Sequence, residues 1–293
     1  MFGSFIQLIR LSAKPSTIIY PYPILPLLAF SLSGVFDIFY LFRAITFSSI
    51  FYAVVNLWNH VNDIEEDVLC GRRTIITENP KIRNLIIIIS PLAYIISFSL
   101  ILVWSVDKRG IIAFSAAAFA TWIYSDRIFI GRKIKRWKDF YVTETLAFVI
   151  FFPSFNLALW TIFTHLSLKS IAFSITLTFF MLSGVFLKDI KDITGDKLAG
   201  LKTLGVMFSP SSLLKASFLM LVFYYFAIFI FSILKIFPTL SIVSTLFFLG
   251  LIYSLKYFLN KNWIISIDSV KPLNLMYYCN LGSLITLIIA GFI

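Results

Sequence analysis

Residues 63–74 read DIEEDVLCGRRT, and 129 positions later residues 192–203 read DITGDKLAGLKT. Six of the twelve positions are identical: Asp63/Asp192, Ile64/Ile193, Asp67/Asp196, Leu69/Leu198, Gly71/Gly200 and Thr74/Thr203. Arg73 and Lys202 agree in charge. The chain has 14 Asp and Glu in 293 residues, and seven of them (Asp63, Glu65, Glu66, Asp67, Asp189, Asp192, Asp196) lie in or just before these stretches. Acidic side chains are costly near a bilayer, so a doubled acidic cluster in an apolar chain reads as a functional site.

The surroundings are apolar throughout. The chain is 59% hydrophobic and 13% charged, with 33 Phe, whereas soluble domains are about 25% charged. The expectation is an all-α, polytopic membrane protein forming one integral-membrane domain over 1–293. Long apolar runs exclude a β-barrel, which shows short alternating segments. Cys70 and Cys279 stand far apart, without metal-ligand spacing. Arg10 and Lys14 precede the first apolar run, and no small-residue cleavage site follows. That run therefore reads as a first membrane helix and not a signal peptide. The net charge of +11 suits cytoplasmic loops that meet anionic headgroups. No nucleic-acid motif accompanies it.

A spanning helix needs about 20 mostly apolar residues. Nine segments meet or approach this: 16–34, 41–67, 84–105, 109–126, 140–161, 169–193, 211–234, 237–259 and 271–292. Asp107-Lys108-Arg109-Gly110 makes a tight turn between the third and fourth. With the N-terminus inside, 20 of the 25 Lys and Arg fall on the inner side. Arg43, Lys108, Arg109, Lys169 and Lys235 stay outside. This split follows the positive-inside rule. It places the chain in the cell membrane with a cytoplasmic N-terminus. Both acidic copies then close the cytoplasmic ends of the second and sixth spans, four helices apart. The architecture expected is two four-helix units plus one helix around a central cavity.

On a helix, residues four apart share a face. Asn59, Asp63 and Asp67 form one polar stripe; Asp192 and Asp196 form another, with Asp189 on the same side. Facing carboxylates need a cation between them. Carboxylates with an amide oxygen are hard ligands that suit Mg2+, which is held by one or two carboxylates plus substrate phosphates. The nearby bases Arg72, Arg73, Lys188, Lys202 and the 127–138 cluster suit the phosphate oxygens. A bland reading competes, in which the acids cap helices or pair with adjacent lysines; two copies in matching positions weigh against it. Glu65 reads as a solvated acid, and Glu66 as a second-choice ligand together with Asp189.

Nine spans, an NDxxD-like motif at Asn62-Asp63-Ile64-Glu65-Glu66-Asp67 and the motif KDITGDKLAGLKT resemble the UbiA superfamily of intramembrane prenyltransferases. Tyr124-Ser125 before a basic run, and Arg10-Leu-Ser-Ala-Lys14-Pro15, add to the likeness. The resemblance implies a transferase that moves an isoprenyl group from an allylic isoprenyl diphosphate to a lipophilic acceptor. Such acceptors are an aromatic quinone precursor or, in archaeal lipid synthesis, a glyceryl phosphate ether. It implies Mg2+ as cofactor and a cytoplasmic-facing active site. Carried over, Asn59, Asp63, Asp67, Asp192 and Asp196 become metal and diphosphate ligands. Tyr124, with Lys133, Lys135 or Arg136, becomes a diphosphate contact, alongside Arg72, Arg73, Lys188 and Lys202. The family pattern NDxxDxxxD fits imperfectly. On Asn62 it meets Glu66 and Cys70; on Asn59 it meets both aspartates, but His60 follows the Asn. The internal repeat favours the Asn59 register, with Asn62 second.

His60 reads either as a base beside the motif or as a packing residue. His165 belongs to an outer loop. Glu144 and Asp139 read either as groups polarising an acceptor hydroxyl or as partners of the basic run, and Asp268 lies before the last span. A cation-coupled transporter is the rival from another class, but its site would lie near the bilayer midplane, not at helix ends.

Overall fold

The two copies fold alike from their glycines onward. The computed structural model describes residues 2–12 and 20–293. Lys14, Pro15 and the beginning of the first expected span fall outside them, as does the side chain of Lys191. In chain order the helices are α1 (Phe2–Ser12), α2 (Leu25–Ser33), α3 (Ile38–Asn62), α4 (Ile64–Leu69) and α5 (Ile75–Glu78). There follow α6 (Pro80–Trp104), α7 (Arg109–Ser125), α8 (Tyr141–Trp160) and α9 (Leu168–Leu198). The last are α10 (Leu204–Met207), α11 (Pro210–Ile233), α12 (Phe248–Asn260) and α13 (Val270–Phe292).

After the first aspartate pair, Arg72 N donates to Asp67 O across Gly71; after the second, Leu201 N donates to Asp196 O across Gly200. Both glycines sit in the left-handed region, at φ 69° and 71°, where a side chain is disfavoured. This six-to-one bond is the usual way a helix satisfies its last carbonyls. A one-turn helix then begins at Thr74 or Thr203, and the next long helix begins with Pro80 or Pro210. Proline suits that position because its missing N–H would go unbonded there. Asn79 and Ser209 cap those helices through their side chains.

Consecutive long helices pack each against the next, and α13 closes the ring on α2. The core is largely aromatic: Phe47, Phe51, Phe114 and Phe155 are fully buried, and the Phe51 and Phe155 rings stack at 5.4 Å. Outward faces expose large apolar side chains such as Phe39, Ile88, Val103 and Ile112, as a lipid-facing surface does. Among the described residues, seven helices are long and apolar enough to cross a membrane. The segment Tyr22–Ser33 is a shorter apolar helix, and α7 has 17 residues. The chain is thus a multi-pass helical membrane protein, with the expected count of nine spans not reached by this measure.

Two boundaries differ from expectation. The second span does not run unbroken to 67: α3 ends at Asn62, and Asp63 (φ −96°, ψ 16°) joins it to α4. The four-residue backbone bonds continue through the joint, from Asp63 N to Asn59 O and from Asp67 N to Asp63 O, both 2.9 Å, so the stripe survives. The sixth span continues to Leu198. At 31 residues α9 is about 46 Å long at 1.5 Å per residue, more than the hydrocarbon core of ~30 Å. Its last turns, which carry Asp192 and Asp196, therefore project past the apolar layer. The 107–110 turn forms as expected. Asp107 accepts from Arg109 N (3.0 Å), from the Arg109 guanidinium (2.6 Å) and from Leu166 N (2.9 Å).

Candidate active site

Close approach of α4 to α9 brings the copies together. Gly195 on α9 faces Cys70, and a β-carbon there would collide with the Cys70 Sγ. With that contact made, Asp63, Asp67, Asp192 and Asp196 line one pocket of about 250 Å³. Asn59, His60, Glu66, Arg72, Thr74, Lys138 and Lys188 complete its wall. The Arg72 guanidinium spans the copies, 3.6 Å from Asp67 and 3.0 Å from Asp192. The two stripes face one another within reach of a single cation.

Asp63 is the most heavily held acid. It accepts from Arg136 Nη1 (2.7 Å), Lys138 Nζ (2.6 Å) and Asn59 Nδ2 (2.8 Å). Burial raises the Asp63 pKa, but Lys138 and Arg136 outweigh that and hold its carboxyl well below the usual carboxylate range. Asp196 accepts from Thr203 Oγ1 at 2.8 Å; burial lifts its pKa against the pull of Lys138. Glu66 pairs with Arg136 and, at 2.9 Å, with Arg127. Asp67 has His60 Nδ1 at 3.8 Å.

The basic partners come from the 126–141 loop. The Asp126 carboxylate accepts backbone N–H bonds from Ile128, Phe129, Ile130 and Gly131, and this folds the start of the loop. Its end is pinned to the second copy, where Lys202 N donates to Asp139 O (3.0 Å) and Tyr141 N donates to Lys202 O (2.8 Å). Arg136 is extended (φ −66°, ψ 153°). A 3₁₀ turn follows at Trp137–Asp139, and Arg136 and Lys138 both turn in to Asp63.

Several expected contacts fall elsewhere. Lys133 and Lys135 are exposed and line no part of the aspartate pocket; Lys138 lines it, and Arg136, the third base expected, is buried and bonded to Asp63. Arg73 and Lys202 are also exposed, and Lys202 serves through its backbone. Asn62 is buried with its amide spent on Trp58 O (2.7 Å) and Arg127 N (2.7 Å). Asn59 lines the pocket, whereas Asn62 does not. Asp189 is buried, is not part of the pocket wall, and among the described residues its Oδ2 has no hydrogen-bond partner. Tyr124 is also outside that wall. It lines a second, mostly apolar pocket of about 200 Å³ with Tyr52, Val55, Ala147, Phe148 and Phe151. Asn59, His60 and Lys188 belong to both pockets, so the two adjoin. His165 lies 3.7 Å from Asp107, and Asp268 is exposed.

Among the described residues, no three of His, Cys, Asp and Glu converge as a ready metal cage. The donor chemistry still fits Mg2+, which takes one or two carboxylates and leaves the rest of its shell to water and phosphate. Arg72, seated between Asp67 and Asp192, occupies the position where such a cation is shared.

Helices that ring an apolar pocket, ended by two facing acidic motifs with bases above them, define a membrane enzyme for an amphiphilic, phosphate-bearing substrate. The UbiA prenyltransferase family model matches residues 20–290; the chain belongs to that family and is a prenyltransferase. An uncharacterized protein of Archaeoglobus fulgidus is 35% identical over 282 residues, covering 95% of this chain and 96% of that one. A solved digeranylgeranylglyceryl phosphate synthase superposes with a TM-score of 0.70 at 16% identity, covering 99% of both chains. A UbiA homologue of Archaeoglobus fulgidus bound to DMAPP and Mg2+ gives 0.66 at 15% identity, covering 98% of both. Family membership removes the transporter alternative.

Proposed function

We propose that the chain, acting as one domain over 1–293, transfers an isoprenyl group from an allylic isoprenyl diphosphate to a lipophilic acceptor with Mg2+. The observation that carries this is Arg72 bridging Asp67 and Asp192 at the mouth of an apolar pocket. Asn59, Asp67, Asp192 and Asp196 would hold the metal. Bound Mg2+ would supply positive charge to the departing diphosphate. Arg72, Lys138 and Lys188 reach the diphosphate oxygens from the wall. Arg136 and Lys138 fix Asp63, so the first stripe keeps its orientation when the diphosphate enters. The isoprenyl group lies in the second pocket, where Phe148 and Phe151 present faces that stabilise allylic positive charge and exclude water. A UbiA homologue of Archaeoglobus fulgidus bound to GPP and Mg2+, with a TM-score of 0.60, supports this donor class.

The positive-inside distribution supports a cytoplasmic N-terminus and a site that opens to the cytoplasm. Aromatic quinone precursors and glyceryl phosphate ethers are the acceptor classes to test. The test is diphosphate release from dimethylallyl, geranyl and geranylgeranyl diphosphate by purified protein with Mg2+ and both acceptor classes. Release that Asp67→Ala and Asp192→Ala abolish is expected. No release with any acceptor sinks the reading.

A further inference from the structure

Prenyl transfer to a hydroxyl leaves one proton to be removed, and three of the four aspartates of the pocket are already held by cations. Asp63 is locked by Arg136 and Lys138, and Asp67 and Asp192 by Arg72. A different acid lies behind the apolar pocket. Glu144 on α8 is 2% exposed, and a buried acid at membrane depth is a functional residue by default. Its Oε2 accepts from Leu204 N at 2.7 Å, and its Oε1 accepts from the Tyr124 hydroxyl at 3.3 Å. Tyr124 itself lines the apolar pocket, beside Asn59 and Lys188, which the aspartate pocket shares. Its ring lies against Phe148 at 5.1 Å. The phenol thus stands between the pocket and the carboxylate.

We propose that Tyr124 and Glu144 form the proton exit of the transfer step, taking the proton of an alcohol or phenol acceptor. This rests on the prenyltransferase reading above. The bond from donor C1 to the diphosphate oxygen breaks, and its electron pair leaves with the diphosphate. A lone pair of the acceptor oxygen forms the new C–O bond. The acceptor's proton passes to the Tyr124 oxygen as the Tyr124 proton passes to Glu144 Oε1, which ends neutral. The groups facing Glu144 are Tyr124 on α7, Asp189 and Lys188 on α9, and Lys138 from the loop. The unpartnered Asp189 Oδ2 puts a second negative group near Glu144. Tyr124 touches the substrate and is the catalytic residue; Glu144 acts through it.

The experiment uses purified protein with Mg2+, C1-labelled geranyl diphosphate and whichever acceptor class supports transfer in the panel above. Diphosphate release, prenylated product and geraniol are measured together. Glu144→Gln keeps an oxygen for Leu204 N but cannot take the proton, and Tyr124→Phe removes the link alone. Each is expected to lower transfer about 100-fold, the low end of general-base effects. The donor KM stays within twofold, and geraniol rises as water captures the donor. The double variant should be no slower than either single one, because members of one relay are non-additive. Additive losses, or an unchanged product-to-geraniol ratio, overturn the relay. If Glu144→Gln does not fold, Tyr124→Phe decides by the same ratio. Absent diphosphate release from the unaltered protein would instead overturn the prenyltransferase reading, and the relay with it.

Discussion

The Cys70 Sγ fills the space that a β-carbon on Gly195 would need. This contact sets the separation between the helices that carry the two aspartate pairs. Gly195→Ala should push α9 away from α4 and separate Asp67 from Asp192. Activity should fall at least 10-fold, and Cys70→Ala in the same chain should restore part of it, because the two changes share one contact and couple. Cys70→Ala alone should retain activity. Steady-state rates of the three variants check this, and equal loss in the single and double glycine variants would refute it.

Lys138 and Arg136 compensate the buried Asp63. Removing one member of a buried ion pair leaves a charge without its partner, which costs about 3–5 kcal/mol. Lys138→Ala should lie at the low end, because Arg136 remains. Lys133→Ala and Lys135→Ala, at exposed sites, should change stability by under ~0.5 kcal/mol. Thermal unfolding in detergent separates the two pairs of outcomes. The pH dependence follows from the lowered Asp63 pKa. The stabilisation is fully present above the unfolded carboxylate value of about 3.9. It is lost only as pH falls from there through the lower folded value. Between pH 8 and 5 this cluster should add no acid-induced loss of Tm.

The repeat made the acidic motifs, their shared face and their meeting legible, because four-residue spacing on a helix is a local property. Gly71 and Gly200 in matching places already pointed to matching turns. The choice among bases was not legible in the same way. Five of residues 132–138 are basic, and the extended Arg136, the 3₁₀ turn at Trp137–Asp139 and the distant bonds to Lys202 together turn positions 136 and 138 inward, a path the run itself does not spell out. Tyr124 was placed by likeness at the diphosphate, whereas its hydroxyl is directed to Glu144, a pairing across 20 residues that no local pattern encodes. Asp189 shares a helical side with Asp192, yet it sits one turn deeper, where the packed interior leaves its Oδ2 without a partner.

The register of the first motif is open to a direct test. Asn59 lines the pocket and donates to Asp63, while Asn62 spends its amide on Trp58 O and Arg127 N. Asn59→Ala should abolish transfer with little change in Tm. Asn62→Ala should leave buried backbone groups unbonded at about 1–3 kcal/mol, lowering Tm while the surviving folded fraction keeps its turnover number. The opposite pattern would move the motif to Asn62.

Arg72 and Arg73 are neighbours with opposite placements. Both are exposed, but Arg72 reaches both aspartate motifs, and Arg73 does not line their pocket. A hydrogen bond to a charged group contributes about 1.5–3 kcal/mol, so loss of the Arg72 contact to diphosphate should lower kcat/KM for the donor roughly 10- to 100-fold. Without Arg72, Asp67 and Asp192 also lose their shared cation. Their repulsion should then favour uptake of a divalent metal in the absence of donor. Arg72→Gln is therefore expected to weaken donor use while tightening Mn2+ binding, which calorimetry or paramagnetic resonance reads directly. Arg73→Gln should change neither by more than twofold. Weaker Mn2+ binding in Arg72→Gln would show that Arg72 does not stand in the metal's place.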